Sequence, residues 1–411
     1  MEAETIENGE HSALRRALAR PQFRRLLSAH TISRWGDTFN SVALVILVYR
    51  LTGSGVKVAG TVAFEIGPVL LFGFVAGSVV DRYPRRHIMI GADAARAVVA
   101  LLLAAFHERL LVVYLAAFLL SASSVFFNPA AASVLPSLVE NDEIVGANSA
   151  IWSAAVVSQI ALAPAAGALV AVAGAGPAFT INAASFVISG VLIASLTVPQ
   201  RAPSPPSRHR DDIIEGLRVI RRSGLLSMLA TVQGLAALSA GATSALLVVL
   251  AEDHLKVGAS QFGMLIAAIG VGAGFAPLAL QHVVDDVRRR RFLFGPYLLR
   301  GSVDLILAGT RNFGVALGAL GLYGIGTSTG NITFNSALQA SVPDRLRGRV
   351  FAFYDVVWQT ARLASIGLGG VLADHMGIAV VYWMGGSLLV AASVLGFVAC
   401  PEIRPVCDPS S

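Results

Sequence analysis

Two carboxylates in the apolar runs of this 411-residue chain, Asp37 and Glu65, have the chemistry to carry a proton. A charge near the centre of a bilayer costs on the order of 2.5 to 3.5 kcal/mol, so a carboxylate kept there has to be used or neutralised. Asp37 fits the first use, because desolvation favours the neutral acid and aqueous access restores the anion. Arg34 lies three residues earlier on the same helical face and fits the second, as a local partner that would keep Asp37 ionised. The residue types leave both open. Glu65 is a second titrating candidate or a contact for a cationic substrate. It lies about 10 Å from the end of its run at ~1.5 Å per residue, so it is also within reach of water. Asn128, Asn331 and Asn335 are candidates to line a cavity; their ordinary alternative is interhelical hydrogen bonding, worth ~0.6 kcal/mol on average.

Other charges sit closer to the ends of the apolar runs. The stretch GSVVDRYPRR places Gly77, Asp81, Arg82, Arg85 and Arg86 in one short gap. Asp81 falls where its helix ends, and there the macrodipole disfavours a negative charge, so an external partner is expected. Asp93 with Arg96, and Arg300 with Asp304, are at helical spacing and read as local ion pairs. His30 reads as interfacial. No enzyme is expected. HERLL at His107 lacks the second His of a zinc HExxH, and no Gly-rich stretch is followed by a Walker lysine. Cys400 and Cys407 are too few and too terminal for a disulfide framework or a CxxC site. Neither a metal nor a cofactor is expected.

The elements that hold these residues follow from composition. The chain is 55% hydrophobic and 14% charged, with mean hydropathy +0.69, against about 25% charged in soluble domains. Runs such as VVALLLAAF are apolar on every side, which excludes the alternation of a membrane barrel and predicts helices. Twelve spans are predicted, at 26–49, 58–80, 88–106, 110–135, 148–173, 178–198, 225–250, 260–284, 292–309, 313–338, 350–373 and 378–399. Most of the 31 Lys and Arg fall on the side of the N-terminus, so both termini are expected in the cytoplasm, in a multi-pass inner-membrane protein. On this reading residues 1–25 and 400–411 are tails, 26–198 and 225–399 are six-helix bundles, and 199–224 is a linker. The basic pI of about 9.7 then reports topology; the partner is the lipid bilayer and not nucleic acid.

The halves echo one another. DRYPRRHIMIGADAAR aligns with DDVRRRRFLFGPYLLR at a shift of 204, pairing Asp81 with Asp285, Arg85 with Arg289, Arg86 with Arg290 and Arg96 with Arg300. FNPAAASVLP from Phe127 matches FNSALQASVP from Phe334, and Gly167 and Gly174 match Gly370 and Gly377. Duplicated six-helix halves are a transporter architecture, with the substrate between halves that rock.

GSVVDRYPRR resembles the loop motif of the major facilitator superfamily, with Pro84 where a Gly is usual. SQIALAPAAGALVAVAG resembles the fifth-span motif of its drug:proton antiporters: Pro164 and Gly167 match, while Ala163 and Ala168 replace glycines. VPDRLRGRVFAF and AFTINAASFVISG are most similar to the branch with macrolide efflux pumps and siderophore exporters. The resemblance covers residues 24–399. It implies an all-α, twelve-helix fold of two pseudo-symmetric bundles and a monomer that exports lipophilic or amphiphilic molecules against protons. It also implies that Asp81 grips the other half as a gate. An importer or uniporter of the same fold is the alternative, as is a transport-inactive sensor.

Overall fold

The computed structural model describes residues 14–198, 224–283, 290–342 and 344–399. They hold twelve helices of 19 residues or more: α1 Pro21–Thr52, α2 Gly55–Arg82, α3 Arg85–Phe106, α4 Leu110–Val134, α5 Ile144–Ala173, α6 Gly176–Ala194, α7 Gly224–Ala245, α8 Ala259–Val283, α9 Arg290–Gly309, α10 Phe313–Ser341, α11 Asp344–Met376 and α12 Ile378–Ala399. The expected twelve spans each correspond to one of them. Ends differ by a turn or so, as at α1, which starts five residues earlier than expected because Pro21 suits the first helical position. Three helices stop at a glycine with positive φ, at Gly53 (59°), Gly174 (77°) and Gly377 (86°), a conformation open to glycine without a Cβ penalty.

Ten of these helices are long and apolar enough to cross a membrane, and α1 and α10 fall outside the ten. Those two carry Arg34, Asp37 and Asn40, and Asn331 and Asn335. Polarity inside a span is tolerated where it faces protein or a water-filled cavity, and these polar residues lower the hydropathy of the two helices. Large apolar side chains stand exposed along the others, among them Leu71, Leu111, Val157 and Val398, as lipid-facing surface requires.

Internal contacts gather the helices into two units. The first holds α1, α3–α6, most of α2 and the start of α8 (Gly258–Ala267); the second holds α7, α9–α12, the rest of α8 and the start of α2 (Ser54–Ala59). In the first unit the main packings are α1 on α6, α3 on α6, α3 on α4 and α1 on α5. In the second they are α7 on α12, α9 on α12, α9 on α10 and α7 on α11. Each pair maps onto its counterpart by a step of six helices, so the duplication read from sequence is a duplication of packing.

Small residues make these packings close. A Cβ on Gly167 of α5 would overlap the carbonyl of Ala259, and one on Gly263 of α8 would meet Pro164 Cα at 2.9 Å. A Cβ on Gly370, the counterpart of Gly167 on α11, would meet Ala59 Cβ at 2.9 Å and Val56 Cα at 3.0 Å. Both seams let backbones approach, which is how helices associate in lipid. Ala163 is buried in the first seam, whereas Ala168 is exposed. Ala168 therefore takes no part in the close approach, because it stands beside the contact stripe.

Candidate functional site

Helix α1 presents His30, Ser33, Arg34 and Asp37 at steps of three and four, which places them on one face. That face meets α3 and α4 within the first unit, and a polar pocket forms between His30, Ser33, Arg34, Asp37, Arg96, Ser124, Phe127 and Asn128. Its volume is about 50 Å³. A water takes ~30 Å³ in the liquid and needs only ~10 to 15 Å³ of probe volume, so the pocket admits a few waters and no organic substrate. Its lining is polar and ionisable.

Within it Arg34 and Asp37 do not join. Among the described residues neither forms an ion pair within 4 Å, so the local pair, one of the two readings open for Asp37, is not formed in this structure. The charges that act on Asp37 are Arg96 and Arg34. Arg96 is itself committed: its Nη2 donates to Asp93 Oδ1 at 2.5 Å, and Ser189 Oγ of α6 donates to Asp93 Oδ2 at 2.8 Å. The guanidinium lies between Phe127 and Phe186, 4.2 and 4.5 Å from their centroids, a desolvated cation–π sandwich. Asp93 and Arg96 form the local pair that their spacing predicts.

Arg300 does not. Its Nη2 donates to Tyr323 OH at 3.0 Å and its guanidinium stands over that ring, while Asp304 Oδ2 has no hydrogen-bond partner. The expected Arg300–Asp304 pair is therefore replaced by a contact between α9 and α10. His30, read as interfacial, lines the pocket and stacks on Phe127.

The pocket brings together Asp37, Arg34 and Asn128. Glu65, Asn331 and Asn335 are not among its lining residues. The Glu65 carbonyl accepts from Ser121 Oγ at 2.5 Å, and Asn335 Nδ2 donates to the Asn331 carbonyl at 2.8 Å. Sequence reasoning missed Arg96 as a pocket residue and His30 as a second; for His30 the signal was its spacing from Arg34 and Asp37.

The loop motif is tied to helix ends. Arg85 Nη1 donates to the Ser133 carbonyl near the end of α4 at 3.1 Å, and Arg86 donates to the Ala194 carbonyl that ends α6. In the second unit Arg290 Nη1 donates to the Phe397 carbonyl near the end of α12 at 3.2 Å. Guanidinium groups at helix C-termini satisfy orphan carbonyls and complement the dipole. Gly77, Asp81 and Arg82 are exposed, and Asp81 has no ion pair among the described residues. Asp285 and Arg289 lie outside the described residues.

At the same end of the first unit, Arg16 Nη2 pairs with Asp142 Oδ2 at 2.7 Å, and Arg20 pairs with Glu140 and Glu143 at 2.5 and 2.6 Å. Glu143 is buried and closes a capping box with Glu140. The Arg20 guanidinium holds the Glu143 carboxyl below its ordinary value, and the two carboxylates raise Arg20. His254, between α7 and α8, is lowered by burial and by Arg311 and Lys256.

Twelve membrane helices in two like units, with an ionisable pocket inside a span, define a polytopic small-molecule transporter and not an enzyme. Residues 13–406 match the family described as transmembrane secretion effector, MFS_3, and the chain belongs to that family of major facilitator transporters. It is similar to the uncharacterized MFS-type transporter YfiS of Bacillus subtilis, with 26% identity over 90% of this chain and 91% of that one. It is similar to macrolide efflux protein A of Streptococcus pyogenes, with 22% identity over 94% and 96%, and to the enterobactin exporter EntS of Escherichia coli, with 24% over 87% and 85%. Among solved structures, the nucleoside transporter NupG shares the fold at TM-score 0.72, with 12% identity over 92% of this chain and 99% of that one.

Proposed function

We propose that the protein exports lipophilic or amphiphilic organic molecules in exchange for protons, by alternating access. The observation that carries this is the Asp37 carboxylate in a water-sized pocket, without an ion pair among the described residues and held in the field of Arg34 and Arg96. A carboxylate without a fixed counter-ion can exchange a proton as its exposure changes, whereas one locked to an arginine cannot. Export is supported by the names of the relatives, which include a macrolide efflux protein and an enterobactin exporter. Few fixed charges on the apolar helices suit a lipophilic or amphiphilic cargo. In this reading both termini lie in the cytoplasm of an inner-membrane monomer, and residues 26–198 and 225–399 are the rocking bundles. Gly77, Asp81, Arg82, Arg85, Arg86, Asp285, Arg289 and Arg290 form the cytoplasmic gate. Ala163, Pro164 and Gly167 serve as the packing seam of the fifth span.

The test is accumulation of a fluorescent lipophilic substrate in cells with and without the protein, each with and without a protonophore. Export predicts lower accumulation that the protonophore abolishes. Faster uptake along the gradient would overturn it. In proteoliposomes Asp37→Asn is expected to remove the response to a proton gradient; transport that still follows the gradient would exclude Asp37 as the coupling group.

A further inference from the structure

Asp304 of α9 is 1% exposed, and among the described residues it makes no hydrogen bond and no ion pair; its Oδ2 is an enclosed acceptor without a donor. Helices α10 and α12 pack on α9, and neither carries an Asp, Glu, Lys, Arg or His; nor does α7. The groups that act on Asp304 are Arg300 on its own helix and Tyr382 on α12, while Tyr297 on α9 and Tyr323 on α10 act on Arg300. Tyr382 OH donates to the Thr243 carbonyl at 2.6 Å and Tyr297 OH to Gln233 Oε1 at 3.1 Å. Arg300, one turn before Asp304, is turned to Tyr323. An ionised carboxylate left without a partner in such a place is among the costliest arrangements a protein can hold. A neutral acid is not.

The repeat shows what an ionised version looks like. Asp93 in α3 has an arginine at 2.5 Å and a serine donor at 2.8 Å. The position equivalent to Asp93 in α9 is Tyr297, and the serine equivalent to Ser189, Ser393, donates instead to the Phe294 carbonyl at 2.8 Å. The carboxylate of α9 has thus moved one turn past its arginine and lost the donors that stabilise an anion.

We propose that Asp304 is a second proton-binding site and that Arg300 is its switch: with the proton on Asp304 the guanidinium bonds Tyr323, and on proton release it swings one helical turn along α9 to pair with the carboxylate. Loss of the proton would break the Arg300–Tyr323 bond between α9 and α10 and so loosen α10, the helix that carries Asn331 and Asn335. The part Asp304 plays in transport rests on the proton-coupled reading above; its protonation does not.

A hydrophobic carbodiimide separates the two. A protonated carboxyl adds to the reagent, its oxygen bonding the central carbon and its proton passing to nitrogen, and the acylisourea rearranges to a stable acylurea that mass spectrometry locates. In the purified protein near neutral pH, Asp304 is expected to label and Asp93 to stay unlabelled. Tyr323→Phe, which removes one hydroxyl and frees Arg300 to hold the anion, should shift the loss of Asp304 labelling to lower pH, so that labelling well above its midpoint falls by up to about tenfold for each pKa unit. Absence of label on Asp304 while Asp37 labels would overturn the site, because the reagent would have reached the interior. Equal labelling across pH in Tyr323→Phe would overturn the switch. Labelling of Asp304 alongside export that ignores the protonophore would leave the proton site standing and bring down the coupled-export reading.

Discussion

Removing the Asp93 carboxylate leaves the Arg96 guanidinium buried between two phenyl rings with its hydrogen-bonded anion gone. Breaking a buried pair from one side costs about 3 to 5 kcal/mol, because the remaining charge is uncompensated. Asp93→Asn, which keeps the shape, is therefore expected to lower unfolding stability in detergent by that amount, and a loss below about 1 kcal/mol would show that the pair does not hold the fold. Asp304→Asn exchanges a neutral acid for its isostere and should stay within about 1 kcal/mol of the parent. The positions of all four charges were legible in sequence, and so was the Asp93–Arg96 pair. The partner of Arg300 was not, because Tyr323 lies twenty-three residues away on another helix and both candidate bonds satisfy the same guanidinium.

The motif glycines are of two kinds, one at a helix contact and one away from any, and they predict opposite outcomes. Gly167 has a backbone carbonyl where its Cβ would go, whereas Gly77 has nothing within 4 Å. Gly167→Ala forces α5 and α8 apart and is expected to cost about 1 to 3 kcal/mol, as overpacking does. Gly77→Ala removes a flexible residue from a helix interior and should be neutral or stabilising by up to ~1 kcal/mol. Thermal unfolding of both variants checks the pair; equal effects would sink the seam. The fifth-span string is thus read physically as one of two matching seams, since Gly370 does for α11 what Gly167 does for α5. Sequence could place the small residues but not their facing helices, which are set by tertiary packing. A second prediction concerns the clasp of Arg16 and Arg20 on the α4–α5 connection. Because Arg20 depresses Glu143 in the fold, its contribution is full above the unfolded value and is lost as pH falls through the folded one. Stability measured against pH should therefore fall in acid below the ordinary value of 4.5, and Glu143→Gln should remove that part of the fall while lowering stability at neutral pH. An unchanged acid profile in the variant would assign the loss to other carboxylates.

Over the whole molecule the duplication is close in packing and broken in chemistry, and the breaks are where function can be placed. Hydropathy, charge placement and the shift of 204 sufficed to read twelve helices in two like halves, because lipid leaves a helix little choice. They did not reveal which copies had diverged in contact. One such divergence is at the second seam. Asp374, near the end of α11, takes Ser54 Oγ at 2.6 Å, the Gly55 N–H at 2.5 Å and the Val56 N–H at 3.3 Å. It caps the first turn of α2 as an N-cap side chain would, but from a distant helix. The counterpart of Asp374 is Ala171, and the start of α8 is served instead by its own Gln261, whose Oε1 accepts from Gly258 N at 3.1 Å. Capping by a neighbouring helix joins two elements; self-capping joins none. Asp374→Ala is thus expected to cost about 0.5 to 2 kcal/mol, the range for a lost cap. Hydrogen exchange should show the amides of Gly55 and Val56 opening about tenfold faster, as ~1.4 kcal/mol implies, with the start of α8 unchanged. Asp374→Asn retains an acceptor oxygen and should recover part of the protection. If both seams loosen together, the cap is not a local device but a brace of the whole fold; if neither does, the carboxylate carries no stability.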